Sequence, residues 1–285
     1  MGRGDAFGAW GHHVAALLGL LLLGGGPVAA QTSEIVDRSA LKVCADPNNL
    51  PFSDEKREGF ENKIAELIGA ELGLKVDYAW FPQVIGFVRN TLRAHLCDLV
   101  MGTVAGDEIM QTTNPYYFTT YVMFYRSDKG FTFEGTQDPR LASLRLGVVA
   151  GTPPADLLVR HDLMSHTRPY ALTVDTRVES PTHEMVQDVV DGTIDVGFLW
   201  GPIAAYYRKR DDLPLTLVPL KNEPGAARME YHIAMGVRAN EPEWRRRVNA
   251  AILKRQTEIT AILRNYGVPL LNEQGELADP SGRRD

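Results

Sequence analysis

From Leu41 onward the sequence alternates between short β-patterned runs and amphipathic helical stretches, the pattern of an α/β fold built on a mainly parallel sheet. Leu41-Lys42-Val43-Cys44-Ala45 reads as a strand and breaks at Asp46-Pro47-Asn48-Asn49-Leu50-Pro51. A helix follows, with Phe60, Ile64, Leu67, Ile68 and Leu72 on one face and Gly73 as its stop. Lys75 to Trp80 is a second strand, a helix is expected through Val84, Phe87, Val88 and Leu92, and Asp98 to Met101 is a third strand leading into Gly102. After a strand over Thr119 to Tyr125, the turn residues Ser127-Asp128-Lys129-Gly130 mark a boundary. The rhythm then restarts with a strand at Leu144 to Val149, a turn at Gly151-Thr152-Pro153-Pro154 and a helix over Ala155 to Arg160, where proline suits the first turn. A strand near Ala171 to Val174, a helix from His183 to Asp191 and an apolar strand at Ile194 to Leu199 complete this second set. Met229 to Val237 is again a strand, Glu243 to Tyr266 carries one long amphipathic pattern, and Glu273 to Asp285 reads as a frayed polar tail.

The chain's 285 residues exceed the ~150 usual for one domain, so two lobes or one large domain is expected. Its 30 Lys and Arg against 36 Asp and Glu leave no basic field for nucleic acid or anionic lipid. The first thirty residues differ in kind: Arg3, an apolar run from Val14 to Leu23, Gly24-Gly25-Gly26-Pro27, then small residues to Ala30. This reads as a secretory signal over residues 1–30, with the mature chain starting near Gln31. An uncleaved anchor is the competing reading, but the run is shorter than the ~20 residues a membrane span needs, and no later segment is long and apolar enough. The two cysteines, Cys44 and Cys97, fall in the exported part, where a disulfide between them and two buried free thiols both stay open.

Two α/β sets, joined near Arg126 to Gly130 with the chain returning after Lys221 to Pro224, resemble the class II periplasmic solute-binding fold. In that fold two lobes with parallel-rich sheets clamp a ligand in a hinged central cleft. Cys97-Asp98-Leu99-Val100-Met101-Gly102 stands in the place of the family's Asp-aliphatic-aliphatic-x-Gly, and Asn114-Pro115-Tyr116-Tyr117 in the place of its Ser-x-Pro-Tyr. Asp191-Gly192-Thr193-Ile194-Asp195-Val196 matches a third piece. The resemblance implies a discontinuous first lobe, residues 31–127 and 225–272, a second lobe at 128–224 and a tail at 273–285.

A narrower likeness rests on Val43-Cys44-Ala45-Asp46-Pro47-Asn48-Asn49-Leu50-Pro51-Phe52-Ser53 and Gly59-Phe60-Glu61-Asn62-Lys63-Ile64-Ala65, with Cys97 and Trp80-Phe81-Pro82-Gln83. These segments are similar to the MxaJ/XoxJ-type accessory proteins of PQQ-dependent methanol dehydrogenase. The resemblance implies a periplasmic protein that helps such a dehydrogenase mature or become active. Its partners would be that enzyme and its c-type cytochrome, and no PQQ or other cofactor is implied for this chain.

One departure narrows the ligand. Amino-acid binders of this fold place an arginine shortly before Ser-x-Pro-Tyr to grip a carboxylate. Here Gly102-Thr103-Val104-Ala105-Gly106-Asp107-Glu108-Ile109-Met110 has none, and Asp107 and Glu108 would repel a carboxylate. An uncharged, apolar or cationic ligand, or a protein segment, fits better.

Ligands of open α/β sheets sit beyond the carboxyl ends of the strands. The candidates in the first lobe are therefore Asp46, Asn48, Asn49, Phe52 and Glu61, then Trp80, then Gly102 and Thr103; those in the second are Gly151, Thr152 and Trp200. Tyr116 joins them beside the expected hinge, where Tyr117 reads as packing. Turn chemistry alone also explains Asp46-Pro47-Asn48-Asn49, and Trp80 and Trp200 also fit as core aromatics. Asp46 and Glu61 could pair as acid and base, yet no hydrolase elbow, phosphate loop or triad is present, and no His or Cys spacing suits a metal. The sequence therefore points to a binding protein, with an ordinary receptor for a non-amino-acid solute as the other reading.

Overall fold

A computed structural model of the chain describes residues 38–278; the expected signal over residues 1–30 and residues 279–285 of the tail lie outside that range. Strand β1 (Ala40–Ala45) buries Leu41 and Val43 and exposes Lys42 between them. A short hairpin, β2 (Asn48–Asn49) with β3 (Ser53–Asp54), then leads to α1 (Phe60–Leu72). The Asp46 to Asn62 signature is one hydrogen-bonded unit. The backbone N–H groups of Phe60 and Glu61, free at a helix start, donate to the carbonyls of Pro51 and Phe52 at 2.8 and 2.9 Å. Asn62 Oδ1 accepts from Gly59 N and Asp54 N at 3.2 and 3.0 Å. Gly59 is obligatory there, since a Cβ would lie 2.0 Å from the Phe52 carbonyl oxygen.

Strands β4 (Lys75–Trp80) and β5 (Leu99–Val104) flank β1, both parallel to it. The helix expected between them shrinks to one turn, α2 (Phe87–Asn90). Gly86 enters it at φ 91°, and Thr91 leaves helical geometry while its Oγ1 donates to the Phe87 carbonyl at 2.7 Å. Then come β6 (Gln111–Thr112), β7 (Tyr117–Arg126), β8 (Leu146–Val149), α3 (Pro153–Arg160), β9 (Thr167–Tyr170) and α4 (Pro181–Val190). The chain continues through β10 (Val196–Trp200), α5 (Gly201–Arg210), β11 (Leu215–Pro219), β12 (Glu230–Val237), α6 (Pro242–Lys254) and α7 (Gln256–Asn265).

Other elements also differ from the sequence expectation. The strand expected near Ala171 lies earlier, at β9, because Pro169 reads as a breaker; β9 is the sheet's edge, where a missing N–H costs nothing. Gly201-Pro202 hid α5, although proline suits a helix's first turn. The Glu243 to Tyr266 pattern is two helices, broken at Arg255 with φ −105° and ψ 13°.

The strands form a ten-stranded curled sheet in the order β4-β1-β5-β12-β7-β10-β8-β9, with β11 also on β7 and β6 on β12. Strand β7 serves both halves: Tyr117 to Thr120 pair with β12, and beyond Thr120 its residues pair with β10 on one side and β11 on the other. In the first half Phe60, Ile64 and Ile68 of α1 and Val248, Ile252, Ile259 and Leu263 of α6 and α7 bury against Leu41, Val43 and Leu99. Each such side chain stabilises by about 1.5–3 kcal/mol. In the second half both faces are covered: Met123, Tyr125, Val196 and Phe198 belong to one core, and Val122, Phe124 and Leu199 to another. Asp98, at the head of β5, accepts from buried Arg238 at 2.9 Å, and Arg238 also reaches Glu241 at 2.8 Å. The tail's first residues, to Ala278, close a turn in which Leu271 bridges Leu277.

Cys44 and Cys97 are disulfide-bonded, tying β1 to the approach to β5 among Phe87, Leu92 and Val100. The bond spans 53 residues, for which the chain-entropy relation gives about 4 kcal/mol. The paired C44A/C97A variant should lose stability of that order, read as a lower urea midpoint with a steeper slope, because the uncrosslinked denatured chain exposes more surface.

Candidate functional site

The ends of β1, β5, β8 and β10 converge on two adjoining spaces. A cavity of about 390 Å³ is lined by Asn48, Asn49, Phe52, Thr152, Trp200 and residues of the 171–183 segment. A recess of about 190 Å³ lies against Phe52, Glu61, Gly102, Thr103, Tyr117 and Trp200. Phe52, Gln83 and Trp200 are walls of both. Phe52 is placed by the carbonyl contacts that start α1, and its ring meets Phe60 edge-on at 5.3 Å. Trp200 is held edge-on by Tyr121 at 4.8 Å and Tyr231 at 5.8 Å.

Across the cavity runs a polar latch. Asp46 Oδ1 accepts from the Asn48 N–H at 2.9 Å and from Thr176 Oγ1 at 2.7 Å; Oδ2 accepts from the Gln83 N–H at 2.6 Å. Asn48 Nδ2 donates to the Thr176 carbonyl at 2.7 Å, and Asn49 Nδ2 to Gln83 Oε1 at 3.0 Å. The loop after β9 is thereby fastened to the loop after β1.

The structure brings most of the candidates together. Asn48, Asn49, Phe52, Thr152 and Trp200 line the cavity, and Glu61, Gly102 and Thr103 line the recess. Asp46 lines neither space: its oxygens are occupied by the latch, which leaves no acid–base pair with Glu61. Trp80 stacks on Tyr78 at 4.5 Å, away from both spaces. Tyr116 is buried with its hydroxyl donated to the Met101 carbonyl at 3.0 Å, and its neighbour Tyr117 faces the recess instead, as alternation along a strand requires. Gly151 supplies the φ 74° turn before α3, where Thr152 Oγ1 donates to the Val149 carbonyl at 2.6 Å. Sequence reasoning missed Gln83, Thr176, His183, Tyr207 and Arg210, all cavity residues. The Trp80-Phe81-Pro82-Gln83 segment was the one available signal for Gln83.

The two ends differ electrically. Burial alone pushes the Glu61 carboxyl up to about 8. At the far end His183 stacks on Tyr207 at 4.5 Å, and burial with the nearby Arg210 lowers its pKa; Arg210 itself pairs with Asp211 at 2.6 Å. The arrangement is a partly aromatic slot with a desolvated carboxyl at one end and a paired guanidinium at the other, suited to binding.

The profile of bacterial extracellular solute-binding proteins, family 3, matches residues 41–269. The chain belongs to that family. Within it, this member is 30% identical over 250 residues to Protein MoxJ of Methylorubrum extorquens AM1, covering 82% of this chain and 83% of that one. Among solved structures it is similar to the periplasmic binding protein XoxJ of Methylobacterium extorquens AM1, at 39% identity and TM-score 0.71 over 82% of this chain and 100% of that one. It is also similar to MxaJ of Methlophaga aminisulfidivorans MPT, at 29% identity and TM-score 0.73 over 81% and 100%. This member thus has the periplasmic-binding-protein fold. Among its described residues no helix is long and apolar enough to cross a membrane.

The N48A/T176V variant removes two hydrogen bonds of the latch, each worth about 1 kcal/mol. It should therefore open the cleft, measured as a larger radius of gyration by small-angle scattering with an unchanged circular dichroism spectrum. Because folding raises the Glu61 pKa, the native state holds a proton that the unfolded chain releases between the ordinary 4.5 and about 8. Its contribution to stability is full below pH 4.5 and falls by up to about 1.4 kcal/mol per pH unit through that window. Urea unfolding from pH 5 to 8 should show this decline in the wild type and a flatter profile in E61Q.

Proposed function

We propose that this chain is a periplasmic accessory protein that assists maturation or activation of a PQQ-dependent methanol dehydrogenase, holding the enzyme or a segment of it in the cleft. The observation that carries this reading is the likeness to MoxJ, XoxJ and MxaJ along most or all of their lengths, joined to the Asp46 to Ala65 signature. In this reading the chain is exported by residues 1–30, and its lobes, 31–127 with 225–272 and 128–224, close on the occupant about β7. The dehydrogenase's c-type cytochrome is a further candidate partner, and neither a cofactor nor a catalytic step belongs to this chain.

The cleft's rim supports a macromolecular occupant. Ile85, beside Gln83, is 88% exposed, and Val178, beside Thr176, is 78% exposed. Large apolar side chains open to water within two residues of the cavity-lining Gln83 and Thr176 suit a protein surface. The absence of an arginine before Asn114-Pro115 also argues against a free amino acid.

One observation favours a second reading, a receptor delivering a small non-amino-acid solute to an ABC permease. The latch fastens the two sides over a cavity of only about 390 Å³, within the range of small-molecule sites. Native mass spectrometry of the mature protein taken from its own periplasm separates the two. Dehydrogenase subunits in the same peaks, lost in W200A, are expected. A stoichiometric small molecule without dehydrogenase would contradict the accessory reading and support the receptor.

A further inference from the structure

Glu61 is the one group in the cleft that no contact explains. Its side chain lines the recess and, among the described residues, has no hydrogen-bond or ion-pair partner, although the residue is 8% exposed. A lone carboxylate out of water is costly, and the cost is relieved by taking a proton or by meeting a cation. The fold keeps this carboxyl where it is. Its Oε1 lies where a Cβ on Gly102 would come within 2.2 Å, so the absence of a side chain at 102 makes its berth.

The surroundings favour a cation. Phe52, Tyr117 and Trp200 wall the same recess, and Phe60 fixes two of these rings edge-on, Phe52 at 5.3 Å and Tyr117 at 6.3 Å. Aromatic faces attract an ammonium group and accept the methylenes behind it. The titratable groups facing Glu61 are Tyr116 and Tyr117 near the start of β7 and Tyr78 of β4. Burial raises all three above the ordinary tyrosine value, so they stay neutral and supply no counter-ion. The slot beyond Trp200 leaves room for whatever carries the ammonium.

We propose that the recess binds an alkylammonium head, with the Glu61 carboxylate as its counter-ion and Phe52, Tyr117 and Trp200 as its walls. The inference rests on the cleft being the binding site, and it holds for either occupant: a lysine side chain of a partner segment or a free amine. Binding exchanges a proton for the ammonium. Below pH 8, where Glu61 is mostly protonated, one proton leaves the carboxyl for solvent as the cation enters.

Isothermal titration calorimetry on the full mature protein tests this with Nα-acetyl-lysine methylamide, n-butylammonium, and the neutral isosteres Nα-acetyl-norleucine methylamide and n-butanol. At least one ammonium probe should bind, about tenfold tighter per pH unit from 6 to 7.5 and levelling above 8, with close to one proton released at pH 6.5. The neutral isosteres should bind at least about tenfold more weakly at pH 8. E61Q should lose both the preference and the pH slope, and G102A, which crowds the carboxyl, should weaken ammonium binding. A tighter lysyl probe assigns the ammonium to a protein segment, and a tighter n-butylammonium assigns it to a solute. Equal binding of the neutral isosteres, a flat pH profile, or no ammonium binding at millimolar concentration would overturn the proposal from wild-type data alone. Dehydrogenase capture that is undiminished in E61Q would overturn the assignment to a partner lysine while leaving the accessory role standing. Ammonium binding without dehydrogenase capture would remove the accessory role and leave the recess assigned.

Discussion

The Asp46 carboxylate holds the cleft in shape. It stands where β1 ends and accepts from three donors: the Asn48 and Gln83 N–H groups and the Thr176 hydroxyl. Two of these donors order the loops that carry Asn49, Phe52 and Gln83, and the third binds the facing loop. Without this acceptor, two backbone donors at the edge of a partly apolar cavity would lose their partner, a penalty of about 1–3 kcal/mol each where water is excluded. The residue therefore acts as a fastener, and its neighbours Asn48, Asn49 and Phe52 line the cavity.

The fastener works because the parts it joins are rigid. The signature from Pro51 to Asn62 is cross-bonded through the start of α1, and the disulfide anchors the same β1 that supplies Asp46. Strand β7 runs through both halves of the sheet, changing partners after Thr120, so the walls on either side of Trp200 share one backbone. Motion between the halves must be accommodated along β7 and the returning β11 to β12 segment. In the proposed clamp, opening would separate Thr176 from Asp46 while each half's core stays packed. This division of labour is the one expected of a binding cleft, with loops meeting the ligand on a scaffold that does not yield.

Much of this was legible in the sequence, for physical reasons that can be named. Alternation and glycine stops placed β1, α1 and β4, and the rule that ligands gather beyond strand ends selected Phe52, Glu61, Gly102, Thr152 and Trp200, all of which line the cleft. Where a contact depends on distance in space, the sequence was silent. Thr176 lies 130 residues from Asp46 in a loop with no periodicity, and nothing local marks it. Tyr207 and Arg210 stayed hidden because Gly201-Pro202 concealed α5, and His183 because it read only as the start of a helix. Tyr116 and Tyr117 could not be told apart without the register of β7. Trp80 followed the strand-end rule and still packed on Tyr78, since β4 is the sheet's edge and its end meets no opposing half.

On the proposed function, this family 3 protein engages its partner through the latched cleft. Hydrogen–deuterium exchange of the mature protein, alone and with purified PQQ-dependent methanol dehydrogenase, tests it most directly. Added protection is expected in the backbone around residues 46–54, 81–86 and 171–183, with little change over the outer helices α6 and α7. Protection centred on α6 and α7, or none at dehydrogenase concentrations that saturate capture, would contradict it.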